Sequence, residues 1–370
     1  MKKMLFVIVA VLCAATMACC GGSGDGDNSS SQGTTSRKRS VLNIFTPTSS
    51  GRAYELLVVI DDGLWERPAG RALFNVLDTD VPGLPQSERS FRIMNTVPEG
   101  FNATLKMLRN IIRVDIDPHR YTQAKFRAES DTYAYPQNIL TIQSPDEASM
   151  EAYVTKNGQA IIDYFTHAEM NRQVMILEGR HNDYISKTCQ EMFGCDVWVP
   201  GELQSYKKGQ DFFWAGTNAA TADRNFVIYS YPYTDTHTFT KEFFVQKRDS
   251  VMAINIPGAR EGSHMTTDSL LTNCKAYMLN GTYVFEARGL WKITKDMMGG
   301  PYVSQARVDT VNQKVIVEEI FVYSPDRAKR NLVRQMEASL YTIKLPGQPT
   351  GDDAQTTTIP VDENVEKVAD

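Results

Sequence analysis

The sequence predicts an α+β protein with largely antiparallel sheets, packed helices and two halves of similar rhythm. Three observations carry this prediction. Apolar runs of strand length recur from Tyr54 to Tyr323, and stripes of helical period interrupt them. In the second half the links between strands are short and polar, as in hairpins, so hairpin connections outnumber βαβ crossovers. Each half also reads as strand, helix and strand, then further strands and a closing helix, a rhythm that suggests an old duplication.

Taken in order, Tyr54 to Ile60 reads as a buried strand, apolar without a break from Leu56, and Asp61-Asp62-Gly63 ends it. Ala69, Leu73, Val76 and Leu77 share one face of a helix over 68–77. Ser90 to Val97 reads as a strand. Phe101, Leu105 and Leu108 repeat at helical spacing, and Ile111 to Ile116 then alternates as a strand, so that helix ends near Arg109. Lys125–Arg127 and Ile139–Ile142 are further strands. Ser144-Pro145-Asp146-Glu147 opens a helix, with serine as cap, proline in the first turn and acids at the positive end of the dipole. It runs to about His167, and a second helix continues past Met175.

In the second half, 196–200, 211–215 and 225–231 read as strands, and Phe239, Phe243, Phe244 and Arg248 suggest a helix after Thr238. Strands follow over 283–293, 302–308 and 314–323, with a polar turn at 309–313. After Pro325, Leu332, Val333, Met336, Leu340 and Ile343 form an apolar helical stripe. Arg327, Arg330 and Arg334 lie together on another face of that helix.

The ends of the chain differ from this body. Lys2 and Lys3 precede an apolar run from Leu5 to Thr16 and then Met17-Ala18-Cys19-Cys20, the order of a lipoprotein signal peptide over 1–18. The run is about half of the ~20 residues a membrane-spanning helix needs, so the expected anchor is lipid on Cys19 or Cys20, with Ala18 favouring Cys19. Residues 19–40 are rich in glycine, serine and polar side chains and read as a flexible tether. The body divides into halves at 41–190 and 191–345. Residues 346–370 carry six acids and one lysine, few large apolar residues, and the composition of a disordered acidic tail.

The chain of 370 residues has a net charge of −5. Loss of Lys2 and Lys3 with the signal takes it to −7, and the tail accounts for −5, so the body is near neutral. That balance offers no basic footprint for nucleic acid. Cys189 and Cys195 enclose five residues and could staple a loop in an oxidising envelope. No CxxC pair, HExxH pair, P-loop, dinucleotide fingerprint or GxSxG elbow occurs, so no metal, cofactor or catalytic set is expected.

Three places are candidate ligand sites, each with a plainer structural explanation. Asp61 and Asp62, at a strand end beside Trp65, have the chemistry for a cation, acid–base work or sugar stacking, or simply cap the next helix. Tyr229, Tyr231 and Tyr233 alternate onto one sheet face, as an aromatic recognition surface or as half-buried packing would. Gly299 and Gly300 open their amides to an anion or form a tight hairpin.

Leu57 to Trp65, Gly83 to Glu88, Phe91, Gly289-Leu290-Trp291 and Met298 to Ser304 together resemble a family of Bacteroidota lipoproteins, the domain of unknown function 4837. The resemblance is read over about Val41 to Leu345. It implies a secreted, lipid-anchored protein of one architecture, and it assigns no catalytic or binding residue. The leading expectation is therefore a non-catalytic binding or structural module anchored to the outer membrane, meeting a glycan or an envelope protein on either side. The alternative is a glycan- or peptidoglycan-acting hydrolase with carboxylates drawn from different strands.

Overall fold

A computed structural model describes residues 46–348 and the backbone of 365–367. The segment expected to be a signal peptide, Cys19, Cys20, the expected tether and most of the acidic tail lie outside the described residues. Both sheets belong to one compact unit, Ile44–Asp370.

The fold is α+β, with seven α-helices and two sheets among the described residues. The first sheet is built from β1 (Glu55–Val59), β2 (Arg92–Thr96), β3 (Asn110–Ile116), β4 (Lys125–Ser130), β5 (Asn138–Ser144) and β13 (Val365–Lys367), in the order β13-β4-β5-β3-β1-β2. β1 pairs in parallel with both β2 and β3, and β3 in parallel with β5. Only the β4–β5 pair is antiparallel. The expectation of antiparallel sheets thus fails in this half while holding for most strand pairs of the molecule. The reason is burial. Leu56, Leu57, Val58 and Val59 are all covered on both faces, as a central parallel strand requires. The two halves consequently differ in topology.

α1 (Asp62–Glu66) and α2 (Pro68–Leu77) carry the chain from β1 to β2, and α3 (Ala103–Lys106) is a single turn before β3. The longer helix expected from Phe101 shrinks to that turn because Leu108 enters the β3 approach. α4 (Glu147–Arg180) then covers the sheet. Its cap is Asp146, whose carboxylate accepts from the Ser149 N–H at 2.7 Å, and Ser144 instead ends β5. The break expected near His167 is absent; the helix instead kinks at Asn157, where the backbone leaves the helical region. α2 crosses α4 where Gly158 has no side chain: a Cβ there would lie 2.6 Å from the Val76 methyl. Met150, Val154, Ile161 and Phe165 of α4 fill the first core with Leu56, Val58, Leu73 and Phe91.

The second sheet is antiparallel throughout. Its strands are β6 (Ser205–Gly209), β7 (Phe212–Gly216), β8 (Asp223–Pro232), β9 (Met265–Leu279), β10 (Thr282–Ile293), β11 (Gly299–Asp309) and β12 (Lys314–Tyr323). Their order is β6-β7-β8-β12-β11-β10-β9. The sequence reading misses β6 and β9, whose residues are mostly exposed or half-buried, and makes a strand of 196–200, which forms only isolated bridges through Asp196 and Pro200. α6 (Lys241–Asn255) packs on one face with Phe212, Tyr229, Phe244 and Tyr302. α5 (Asp183–Phe193) and α7 (Arg330–Glu337) pack on the other with Phe213, Ile316, Val333 and Met336.

Charged side chains are buried within this second sheet in pairs. Arg248 of α6 meets Glu319 of β12 at 2.6 Å with both side chains wholly buried, and also donates to the Thr267 hydroxyl. On the opposite face Arg288 joins Glu286 to Glu337, and Arg307 pairs with Glu318. Cys189 and Cys195 are both buried and free, so the loop between them is not stapled. Burial pushes both thiols up, that of Cys195 to about 12.

Of the tail, Val365–Lys367 adds to the outer edge of β4, parallel to Phe126–Ala128. No helix among the described residues is long and apolar enough to cross a membrane.

Candidate functional site

The turn after β1 resolves the first of the candidate sites. Asp61 is the cap of α1, its carboxylate accepting from the Gly63 and Leu64 N–H groups at 2.9 and 3.3 Å. Asp62 is exposed in the first turn. Trp65 is largely buried and meets Phe74 of α2 edge to face, with ring centroids 5.9 Å apart. These two rings overhang β2, the last strand of the first sheet, and form one wall of a surface cleft of about 380 Å³. Phe91, Ile93 and Asn95 supply its floor.

The other walls are cationic: Arg89, Arg92 and Arg330. The loop before β2 is what brings Arg330 there. Glu88 accepts from the Lys329 and Arg330 backbone N–H groups at 2.7 and 2.9 Å, so it caps α7 from a distant part of the chain. Arg330 in turn donates to the Arg89 carbonyl at 2.6 Å, and Arg334 to the Ser90 carbonyl at 3.1 Å. Both guanidinium groups lie over the Tyr54 ring, at 5.8 and 4.4 Å.

The three cleft arginines are held differently. Arg89 pairs with Asp78 at 2.6 Å and Arg92 with Glu55 at 3.1 Å, and both side chains are more than half exposed. The Arg330 guanidinium bonds only the Asn331 side-chain oxygen and a carbonyl. Burial draws its pKa down, against the pull of Glu88 and Tyr54. A partly desolvated cation whose nearest carboxylate is occupied with backbone amides favours an incoming anion. Guanidinium forks suit carboxylate or phosphate oxygens, and Phe74 beside them offers an apolar surface, although Arg71 already lies 4.2 Å from that ring. No carboxylate lines the cleft.

A second cleft, about 490 Å³, lies beside β4 and is also cationic, with Arg120, Lys125 and Arg127 around Tyr121 and Gln143. Burial and the Asp115 carboxylate, to which the Tyr121 hydroxyl donates at 2.5 Å, raise that tyrosine's pKa.

The other candidates are packing residues. Tyr229 is 1% exposed in the core under α6. Tyr231 donates to or accepts from the Thr238 hydroxyl at 2.8 Å and lies against Phe243, while Tyr233 lies against Phe239. The alternation is real, but α6 and the 236–239 turn pack on the face it creates, burying Tyr229 and leaving Tyr231 and Tyr233 half-buried. Gly299 and Gly300 are ladder residues of β11, opposite Lys292 and Trp291. A Cβ on Gly300 would collide with the Val322 carbonyl, so close strand approach, not an anion nest, demands glycine there.

Among the candidate ligand residues named from sequence, only Trp65 lines one of these two clefts. Arg89, Arg92, Arg330 and Phe74 were not singled out as ligands. The shared helical face of Arg330 and Arg334 was the one available signal.

Comparison with known families divides the molecule at the end of α4. Residues 182–342 match the family described as a domain of unknown function, DUF4837. Residues 49–178 match a second domain of unknown function, DUF8532. The resemblance read across the whole body is thus held by its second half, and the Leu57–Trp65 and Gly83–Phe91 segments fall within the DUF8532 match. No curated protein matches the chain. The arginine cleft draws on both regions, Trp65 to Asn95 from the DUF8532 match and Arg330 from the DUF4837 match.

Proposed function

We propose that this protein is a lipid-anchored module of the cell envelope, held at the outer membrane through Cys19 or Cys20, that works without catalysis by binding an anionic ligand in the arginine-lined cleft. The observation that carries the reading is Arg330, partly buried among Arg89, Arg92, Phe74 and Trp65 with no carboxylate at its guanidinium. Glycan cleavage calls for two carboxyl groups facing across a cleft, and the lining residues here are cations, aromatics and an amide. The signal-like N-terminus and the polar tether support the location.

Two measurements test the two parts. Lipid labelling of cells carrying the wild type or a Cys19→Ala, Cys20→Ala double variant is expected to lose label only in the variant, and label that persists would sink the anchor. Detergent-solubilised full chain is then titrated with tripolyphosphate, oligogalacturonate and an acidic peptide. At least one is expected to bind, weaken with added salt, and fail with Arg92→Glu, Arg330→Glu protein. Binding by none, or binding unchanged in that variant, refutes the cleft assignment.

A further inference from the structure

The cleft runs along a strand whose outer side has no partner. β2 pairs only with β1 among the described residues. The Arg92 N–H donates to the Tyr54 carbonyl, and the Thr96 carbonyl accepts from the Ile60 N–H. In a parallel strand alternate residues direct their N–H and C=O to opposite sides. Arg92, Met94 and Thr96 therefore face β1, and the backbone groups of Ile93 and Asn95 face the open edge. Those same two residues line the cleft.

The structure points to what such an edge accepts. At the far side of the same sheet, β4 also flanks a cationic cleft, and there the acidic tail supplies β13 as a parallel outer strand. One edge of the sheet has thus taken an extended segment from an acid-rich stretch, and the other has the same ingredients without the strand. A small anion or a glycan would engage the guanidinium groups alone. An extended polypeptide would satisfy both the guanidinium groups and the free ladder positions.

We propose that the open edge of β2 binds an extended acidic segment of a protein partner as an added strand, its carboxylates meeting Arg92 and Arg330 and its apolar side chains resting on Phe74 and Trp65. This rests on the reading of the cleft as an anion site and names the class of ligand that fills it.

The test uses the full chain in detergent and a blocked octapeptide of alternating Glu and Val. Controls are the same peptide with alternate amides N-methylated and a Lys-Val counterpart. The expected result is binding of the Glu-Val peptide alone, with slowed hydrogen exchange at the Ile93 and Asn95 amides. Asn95→Pro, which removes an outward N–H and leaves the β1 ladder intact, is expected to weaken binding by up to about tenfold, the worth of a ladder hydrogen bond. Exchange is read on the wild type, so the test stands even if the proline variant folds poorly. The proposal is overturned if the N-methylated peptide binds equally well, if the two amides gain no protection, or if the Glu-Val peptide does not bind. In that last case, tripolyphosphate or oligogalacturonate binding that depends on Arg92 and Arg330 would leave the anion site standing and remove only the strand. Binding by none of the probes would remove both.

Discussion

The two sheets use arginine in opposite ways. Around the second sheet Arg248 and Arg307 are buried and Arg288 nearly so, and each has a carboxylate as a direct partner. At the edge of the first sheet Arg92 is mostly exposed, and Arg330 bonds only neutral oxygens. A buried guanidinium with its carboxylate is committed to the fold, because removing either partner strands a charge in a medium that cannot solvate it. An arginine whose partners are carbonyls, amides or screened surface acids is free to exchange them for a ligand. Side-chain type is therefore uninformative here, and enclosure decides between structure and binding.

The largest way to break this contrast is Glu319→Ala. It leaves Arg248 buried without its partner and is expected to cost about 3–5 kcal/mol in denaturant unfolding. Arg248→Met with Glu319→Leu is expected to recover most of that loss, since an apolar pair of similar volume removes both charges. If the double variant is as unstable as the single, the pair is not the reason for the loss. Gly300→Ala comes next. Its methyl would press on the Val322 carbonyl and lie 3.1 Å from the Trp291 indole nitrogen, at an expected cost of about 1–3 kcal/mol by the same measurement.

Glu286 makes the contrast depend on pH. Burial would raise its pKa, but Arg288, Lys275 and the Tyr277 hydroxyl together hold it below the ordinary 4.5. A depressed carboxyl contributes stability that is present above the unfolded value and is lost as pH falls through the folded one. Urea midpoints of wild type and Glu286→Gln are therefore expected to differ at neutral pH and to converge below pH 4.5. Arg92→Ala is the converse case. The Arg92–Glu55 pair is surface-exposed on the arginine side, so stability is expected to change by less than about 1 kcal/mol, while anion binding weakens. A large loss of stability would place Arg92 with the committed arginines. The smallest signal is chemical: native Cys189 and Cys195 are expected to resist alkylation, and half-buried Cys274 to react first.

Much of the fold is legible in the sequence. α2 falls on the predicted residues, as do β3, β8, β10 and β12 to within a few positions. These elements bury a strong apolar pattern of their own. β6 and β9 escape a sequence reading because they are edge strands with few buried residues and no clean apolar alternation, and they exist through pairing with β7 and β10. The site was less legible. Asp61 and Asp62 offer either chemistry or a cap, and Asp61 is the cap with Asp62 exposed in the first turn; the tyrosine stripe offers either recognition or packing, and Tyr229 is packed under α6.

The sequence by itself determined the α+β class, the strong helices and strands and the resemblance now placed on residues 182–342. All of these are local properties: hydrophobic period, cap chemistry and motif order act within a few turns of chain. Only the tertiary structure decided that β1 to β3 lie parallel, that Glu88 caps α7 across 241 residues, and that Arg330 thereby joins Arg92 at an open sheet edge. Those depend on which surfaces meet after the chain has closed, and the charge of an arginine says nothing in advance about which carboxylate will reach it.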